Sequence, residues 1–224
     1  MSAVVKIGWL LLEVEASAIY FDPRSQIKTN KNNDRRSGVM SCPAVLSRLS
    51  RTYTVDAPYD LRLRFTGTKD RPEVRPVLSQ SSITIEKLRK QFVWSPREQW
   101  ASHEHPVFQI TAPYVFTSET PCYLNQAFPR ELIGRQTGFR LIEGRFPIHN
   151  WPRPLSWAVE WLNPDEDIIL KRGQPWFDLC FETDDPASSI ALRKQEMSDE
   201  LRKRLLETKD VTSYIRGTSK LMGK

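Results

Sequence analysis

The segment LSWAVEWL, at positions 155–162, decides the fold class of this 224-residue chain. Its large apolar side chains fall on every second residue: Leu155, Trp157, Val159 and Trp161. Because successive side chains of a β-strand point to opposite faces of the sheet, this alternation predicts a strand that buries one face. The shorter segments 53–55 and 61–65 alternate in the same way.

Further strands are predicted on both sides of this segment, where apolar runs end at Pro, Gly or polar clusters. They cover residues 4–14, 18–21, 51–55, 61–65, 82–85, 107–110, 114–116, 139–146, 167–170 and 176–181. The 16 Pro residues argue against a helical bundle, because proline cannot donate to a helix. We therefore predict a mostly β fold, a jelly-roll-like β-sandwich with short helices and a C-terminal helix.

Helical spacing of apolar residues predicts a short helix at 43–50 and one or two helical turns at 85–92. A C-terminal helix is predicted to begin after Asp185 and Pro186, which suit a helix start. Its apolar stripe is formed by Ile190, Met197, Leu201 and Leu205.

Two polar segments without periodicity, 22–41 and 66–80, are predicted to be loops, and the first of them to be mobile. The domain organisation predicted from these patterns is a β-sandwich domain at 1–184 and a C-terminal helical tail at 185–224. The loop at 22–41 is rich in basic residues. Those that we expect to contact an anion or a partner are Lys28, Lys31, Arg35 and Arg36.

The charge balance permits an acidic partner without requiring one. The net charge is +6, from 33 basic and 27 acidic residues that are mixed along the chain. A solvated surface is the simpler interpretation, and nucleic-acid binding stays as an alternative.

The cysteines and the apolar segments bear on location. Cys42, Cys122 and Cys180 show no C-x-x-C spacing, so we expect reduced thiols in the cytoplasm. No apolar run approaches the length of a membrane span. The apolar start at 7–12 is followed by Glu13 and Glu15, and we interpret it as a buried strand rather than a signal peptide.

Two histidines that are two residues apart are the most specific candidates for a metal site. If His103 and His105 lie in a strand, both imidazoles point to the same face, and His149 or a carboxylate could complete a site for non-haem iron or zinc. Pro106 follows directly, however, and indicates a strand start, while the Glu and Gly pattern of metal-binding cupins is missing downstream. Histidines at a surface turn are the alternative. We expect no cofactor, with a divalent metal such as Fe or Zn at His103, His105 and His149 as the alternative.

Aromatic and arginine residues outside the alternating strands are candidates for a ligand pocket. Tryptophans with nearby arginines can stack on sugars or bases. The residues we assign to this pocket are Trp94, Trp100, Tyr114, Trp151, Arg153 and Arg172. Core or rim packing is the competing interpretation for each of them. No glycine-rich phosphate loop and no ordered Ser-His-Asp set is recognisable.

Three stretches of Gly, Pro and aromatic residues carry a family resemblance. They are Cys42-Pro43 with the later Ala57-Pro58-Tyr59-Asp60, the segment 105–114, and the segment from Gly144 to Trp176. From Cys42 on, the chain resembles a family of uncharacterised proteins from bacteria and marine phages. The resemblance supports the expected fold and implies no activity.

Together these patterns predict a non-enzymatic binding or assembly protein, which self-associates or binds a protein partner and does not enter a membrane. The family resemblance adds a phage accessory or structural role, with the host cytoplasm as the location if the chain is phage-encoded. A jelly-roll metal-dependent enzyme is the first alternative. A nucleic-acid-binding protein is the second.

Overall fold

The computed structural model describes residues 3–12, 18–28, 41–68 and 70–208. Within them the chain is mostly β, as predicted, with several sheets, one of which is curled like half a barrel. The strands are β1 Val4–Leu11, β2 Arg24–Ser25, β3 Thr52–Asp56, β4 Leu61–Phe65, β5 Val74–Pro76, β6 Phe92–Trp94, β7 Val107–Ser118, β8 Cys122–Ala127, β9 Phe139–Leu141, β10 Gly144–Pro147, β11 Pro154–Trp161, β12 Ile168–Leu170, β13 Pro175–Thr183 and β14 Ser189–Lys194. The α-helices are α1 Pro43–Ser50, α2 Ile85–Gln91 and α3 Asp199–Thr208.

The strands form three sheets. The first has the order β14-β1-β7-β11-β9, and β6 pairs with the first half of β7. The second has the order β10-β8-β13-β3-β2, and the third β12-β4-β5. Of the strand pairs, β1 and β14 are parallel and the others antiparallel.

The alternation that opened the sequence analysis is confirmed, because all four of its apolar residues are buried in β11. Their neighbours in β7 alternate in phase with them, so both strands present an apolar face to the same core. That face meets β13 of the second sheet: Tyr114 contacts Phe177 at 6.4 Å between ring centroids, and Trp157 contacts Trp176 at 6.2 Å. Aromatic packing therefore holds the first two sheets together.

The third sheet closes one end of this core. Phe65 of β4 contacts Trp161 at 5.8 Å and Trp94 at 6.3 Å. Trp94 belongs to β6, so β4 and β5 lie next to the edge strand of the first sheet. The finer prediction of a jelly-roll-like sandwich stays a prediction.

Several predicted strand bounds are wrong. Residues 18–21 and 82–85 are not strands, and Thr84 instead caps α2 by accepting a hydrogen bond from the Lys87 amide. The single strand predicted at 139–146 is two strands in different sheets: β9 pairs with β11, where the Ile142 amide also donates to the Ala158 carbonyl, and β10 pairs with β8. Conversely, 107–110 and 114–116 belong to one strand, β7.

The start of the predicted C-terminal helix is also wrong. Residues 189–194, including Ile190, form β14 and pair with β1. The helix begins only at Asp199, where the Ser198 hydroxyl accepts a hydrogen bond from the Leu201 amide. The helical spacing of the apolar residues from Ile190 onward predicted a helix here. Backbone pairing with β1 overrides this local periodicity.

Both predicted polar loops contain ordered elements. The loop at 22–41 begins with β2, and its residues 29–40 lie outside the described part of the chain. The loop at 66–80 contains β5 and a short 3-10 helix, Leu78–Gln80. The strand β8, absent from the predicted set, joins β10 to β13.

An ion-pair cluster fixes the third sheet. Asp167, which directly precedes β12, accepts hydrogen bonds from the Arg62 and Arg64 guanidinium groups of β4, with Arg64 Nε and Nη2 both at 2.9 Å. The hydrogen bond from Arg64, followed by that from Arg62, lowers the pKa of the Asp167 carboxyl although partial burial opposes the shift.

A pH series of thermal unfolding checks this cluster. The folded pKa of Asp167 lies below the unfolded value of about 3.9, so its ionised form stabilises the fold above that value and the effect is lost as pH falls through the folded pKa. Asp167→Asn should lower Tm at about pH 7, and its difference from wild type should shrink below about pH 4. A difference that is unchanged over this range contradicts the assignment.

Candidate ligand-binding site

The structure does not bring the three predicted metal ligands together. His105 precedes β7, and its Nδ1 lies 3.1 Å from the Glu160 carboxylate. His149 contacts the backbone of Cys122, beyond the other end of β7. A strand of 12 residues is roughly 40 Å long at about 3.4 Å per residue. His103 is exposed.

No group of three or more His, Cys, Asp or Glu side chains in the described ranges is arranged to hold a metal ion. Glu160 is buried and is instead neutralised by Arg140, which donates to its second carboxylate oxygen through Nε at 2.8 Å. Near His149, burial raises the pKa of the Cys122 thiol to about 12, so this cysteine is not an activated nucleophile.

The six residues predicted to form a ligand pocket are dispersed. Tyr114 lies in the core, and its hydroxyl donates to the Phe21 carbonyl at 2.6 Å. Trp100 is buried and donates to the Ser95 carbonyl. Trp94 lines a cavity of about 520 Å³ between β5, α2 and β6, which we call the Trp94 cavity.

The other three predicted pocket residues lie elsewhere. The Arg153 guanidinium lies over the Trp151 ring at 4.6 Å, and burial lowers the pKa of Arg153. Arg172 is exposed, with its guanidinium 5.7 Å from the Phe21 ring centroid. None of the four basic residues assigned to the loop can be placed in a site: Lys28 is exposed, while Lys31, Arg35 and Arg36 lie outside the described residues.

A cavity of about 530 Å³ between α1 and the outer face of the second sheet combines apolar walls with buried polar groups. We call it the α1 cavity. Its apolar and weakly polar lining includes Val45, Leu49, Ala127, Phe128, Ile133 and Cys180. Its polar lining includes Gln26, Arg48, Thr52, Arg130, Glu143 and Asp178. A cavity of this volume is in the range that holds a small organic ligand.

Alternation along β13 places a carboxylate in this cavity. Phe177 and Leu179 face the core, so Asp178 between them faces outward, beneath α1. Asp178 is only 5% exposed and Gln26 beside it only 6%. The site therefore has a buried polar floor.

Three neutral donors hold the Asp178 carboxylate. Thr54 Oγ1 donates to Oδ1 at 2.7 Å, while Gln26 Nε2 at 2.7 Å and the Arg130 amide at 2.9 Å both donate to Oδ2. A carboxylate offers about four acceptor positions, so one position of Asp178 is left after these three bonds.

The negative charges that line the α1 cavity are not ion-paired by any part of the chain that the structure describes. Within the described part of the chain, no Lys or Arg side chain forms an ion pair with Asp178 or with Glu143, whose Oε1 accepts from the Phe128 amide at 3.3 Å. By contrast, the neighbouring Asp56 and Glu131 are both paired with Arg24. Burial raises the pKa of Asp56 even though Arg24 opposes this effect.

The charged groups that line the α1 cavity differ in burial. None of the residues that line the α1 cavity is a histidine, and the Cys180 thiol is buried there. Arg48 and Arg130 are exposed, whereas Asp178 is buried. A ligand that fills the cavity would therefore meet the carboxylate at its deepest point.

The sequence analysis missed Gln26, Thr54 and Asp178. One signal was present: Asp178 is the single charged residue in the apolar run WFDLCF, at 176–181. A charge there needs partners from another element, and these come from β2–β3 and from the segment after β8. Such long-range partners are not visible in a single sequence.

Comparisons with protein families and with characterised proteins find no match for this chain. The resemblance to the family from bacteria and marine phages stays a prediction. No helix in the described residues is long and apolar enough to cross a membrane.

Substitution of Thr54 tests whether the buried carboxylate depends on its donors. Thr54→Val keeps the shape of the side chain but removes the hydroxyl that donates to Asp178. We expect a loss of about 1–3 kcal/mol in the free energy of unfolding, measured in urea. The exposed Thr120→Val is the control and should change it by less than about 0.5 kcal/mol. Equal effects of the two substitutions would refute the assigned network.

Proposed function

We propose that this chain is a non-enzymatic binding protein, whose α1 cavity takes an organic ligand with an apolar body and a cationic amine. One observation carries the proposal: the buried Asp178 carboxylate lines a cavity with apolar walls, and no Lys or Arg side chain of the described residues forms an ion pair with it. A buried charge without a counter-charge is costly, so a cationic ligand would gain from pairing with it.

The remaining lining supports an apolar body rather than a bare cation. Leu49, Val45 and Phe128 would cover apolar ligand surface, which contributes roughly 25 cal/mol for each Å² removed from water. A ligand amine would use the free acceptor position of Asp178. Glu143, Arg48 and Arg130 also line the cavity, but all three are exposed, so Asp178 is the buried charge that a ligand would meet.

Self-association or a protein partner remains part of the proposal. Three exposed apolar side chains belong to neighbouring segments: Ile133 at 70%, Ile142 at 44% and Leu162 at 40%. Leu162 also lines a third cavity, of about 620 Å³, which shares Phe128 and Glu143 with the α1 cavity. Exposed apolar surface of this kind is typical of contact sites.

For the architecture we propose the jelly-roll-like sandwich, which the facing aromatic sides of β7, β11 and β13 support. The proposed setting is the cytoplasm, or the host cytoplasm for a phage accessory protein. The free cysteines are compatible with it. The two alternatives have less support. The metal-dependent enzyme would need His105 and His149 near each other, and the basic loop of the nucleic-acid binder lies largely outside the described residues.

Three indole compounds of similar shape test the charge of the ligand. Tryptamine is cationic, tryptophol is neutral and indole-3-propionate is anionic. By isothermal titration calorimetry we expect tryptamine to bind about tenfold more tightly than tryptophol, and indole-3-propionate to bind most weakly, because the coupling energy of a close interfacial charge pair is about 1.5 kcal/mol or more and tenfold in affinity is about 1.4 kcal/mol. Equal affinities, or preference for the anion, would refute the proposal.

Two variants locate the binding in the α1 cavity. Glu143→Gln removes the exposed charge and should lower the affinity for tryptamine only slightly. Asp178→Asn removes the buried charge and should abolish the preference for tryptamine over tryptophol. Val45→Trp fills the cavity from the side of α1 and should lower the affinities for all three compounds. Near-ultraviolet circular dichroism establishes that each variant is folded. Unchanged tryptamine binding in folded Val45→Trp would show that the ligand binds elsewhere.

A further inference from the structure

The Trp94 cavity lies between two strands that each have an unpaired edge. Among the described residues, β5 pairs only with β4, and β6 pairs only with β7. Residues of both strands line the cavity, together with Leu88 and Arg89 of α2. An open strand edge carries backbone donors and acceptors that an extended chain can pair with.

The hydrogen-bond register identifies the free groups of β5. The Thr66 amide donates to the Glu73 carbonyl, and the Val77 amide donates to the Arg62 carbonyl. Residues 73, 75 and 77 therefore point their backbone groups toward β4, and the alternate residues Val74 and Pro76 point theirs away from it. The free edge offers the Val74 N–H and C=O and the Pro76 C=O.

The same reasoning applies to β6. The Ser95 amide donates to the Val107 carbonyl, so residues 93 and 95 pair with β7. The backbone groups of Trp94 and the carbonyl of Phe92 consequently point away from β7. Both strands thus direct unpaired main-chain groups outward from their own sheets, and both line one cavity of about 520 Å³.

The side chains of the cavity define which segment would fit. Leu88, Phe92 and Trp94 provide an apolar wall. In the parts of the chain that the structure describes, Arg89 is exposed and forms no ion pair, and Arg75 is 70% exposed with a contact of 3.8 Å to Glu73. Apolar and acidic side chains in alternation would match this surface.

We propose that the groove between β5 and β6 binds an extended segment of a partner protein by strand addition. The bound segment alternates apolar residues, which pack on Phe92 and Trp94, with acidic residues, which pair with Arg75 and Arg89. Each strand is three residues long, so the paired stretch is short, about five residues. Pro76 has no N–H, which limits longer edge pairing. This site is separate from the α1 cavity.

Fluorescein-labelled peptides and fluorescence anisotropy test the proposal on the full chain. The probe is the acidic peptide GEVELEVEG, and the comparison is the basic peptide GKVKLKVKG. Two further versions of the probe are N-methylated on alternate residues, one for each edge of the bound strand. We expect the acidic probe to bind and at least one methylated version to lose about tenfold in affinity, because methylation removes backbone donors.

Matched charge reversals assign the binding to the groove. Arg75→Glu/Arg89→Glu should lower the affinity for the acidic probe at least tenfold and raise the affinity for the basic peptide. Arg193→Glu/Arg202→Glu makes the same change in net charge at exposed positions on β14 and α3, and should leave the probe affinity within about twofold.

Three results would overturn the proposal. The first is no binding of the acidic probe at millimolar concentration, and the second is equal binding of the parent and both methylated peptides. The third is a dimer in sedimentation experiments that dissociates in Arg75→Glu/Arg89→Glu, which would assign the groove to a second copy of this chain. None of these results bears on tryptamine binding, so failure here and failure of the proposed function are distinguishable.

Discussion

The packing of the aromatic faces of β7 and β11 against β13 is the interaction on which the rest of the structure depends. β7 pairs with β1, β6 and β11, so it organises the whole first sheet. Its rings meet those of β13 across the core. Because side chains alternate along β13, burying Phe177 and Leu179 inward forces Asp178 outward. The core thus determines where the candidate site lies.

Asp178 would be an exposed surface carboxylate if the outer face of the second sheet met solvent. α1 and the segment after β8 cover that face, and the carboxylate becomes buried. Three neutral hydrogen-bond donors then hold it, and its charge has no ion-pair partner in the described residues. Asp178 and its donor Thr54 lie in strands, which keep polar groups in place better than loops do.

The sequence predicts the strongly alternating parts of this fold well. β11, β3 and β4 were predictable because one buried face leaves a period of two, and α1 because Pro43 suits a helix start. β14 was not predictable, since it depends on pairing with β1 across the length of the chain. The candidate site was missed for the same reason: Gln26, Thr54 and Asp178 are far apart in sequence.

In the predicted histidine and tryptophan sites, the residue types suggested a shared function, but the fold keeps the residues apart. His103 and His105 are close in sequence, but the strand between His105 and His149 separates them from the third imidazole. Of the predicted pocket aromatics, Trp94 lines a cavity, while Tyr114 and Trp100 contribute to packing. Residue type suggests chemistry, but the distance between side chains decides whether they can act together.

A crystal structure of the chain soaked with tryptamine tests the central claim most directly. The account predicts the indole against Leu49 and Phe128, with the amine within hydrogen-bond distance, about 2.7–3.1 Å, of the Asp178 carboxylate. An indole bound elsewhere, or bound in the α1 cavity with its amine directed to solvent, would contradict the claim that the buried carboxylate selects the ligand.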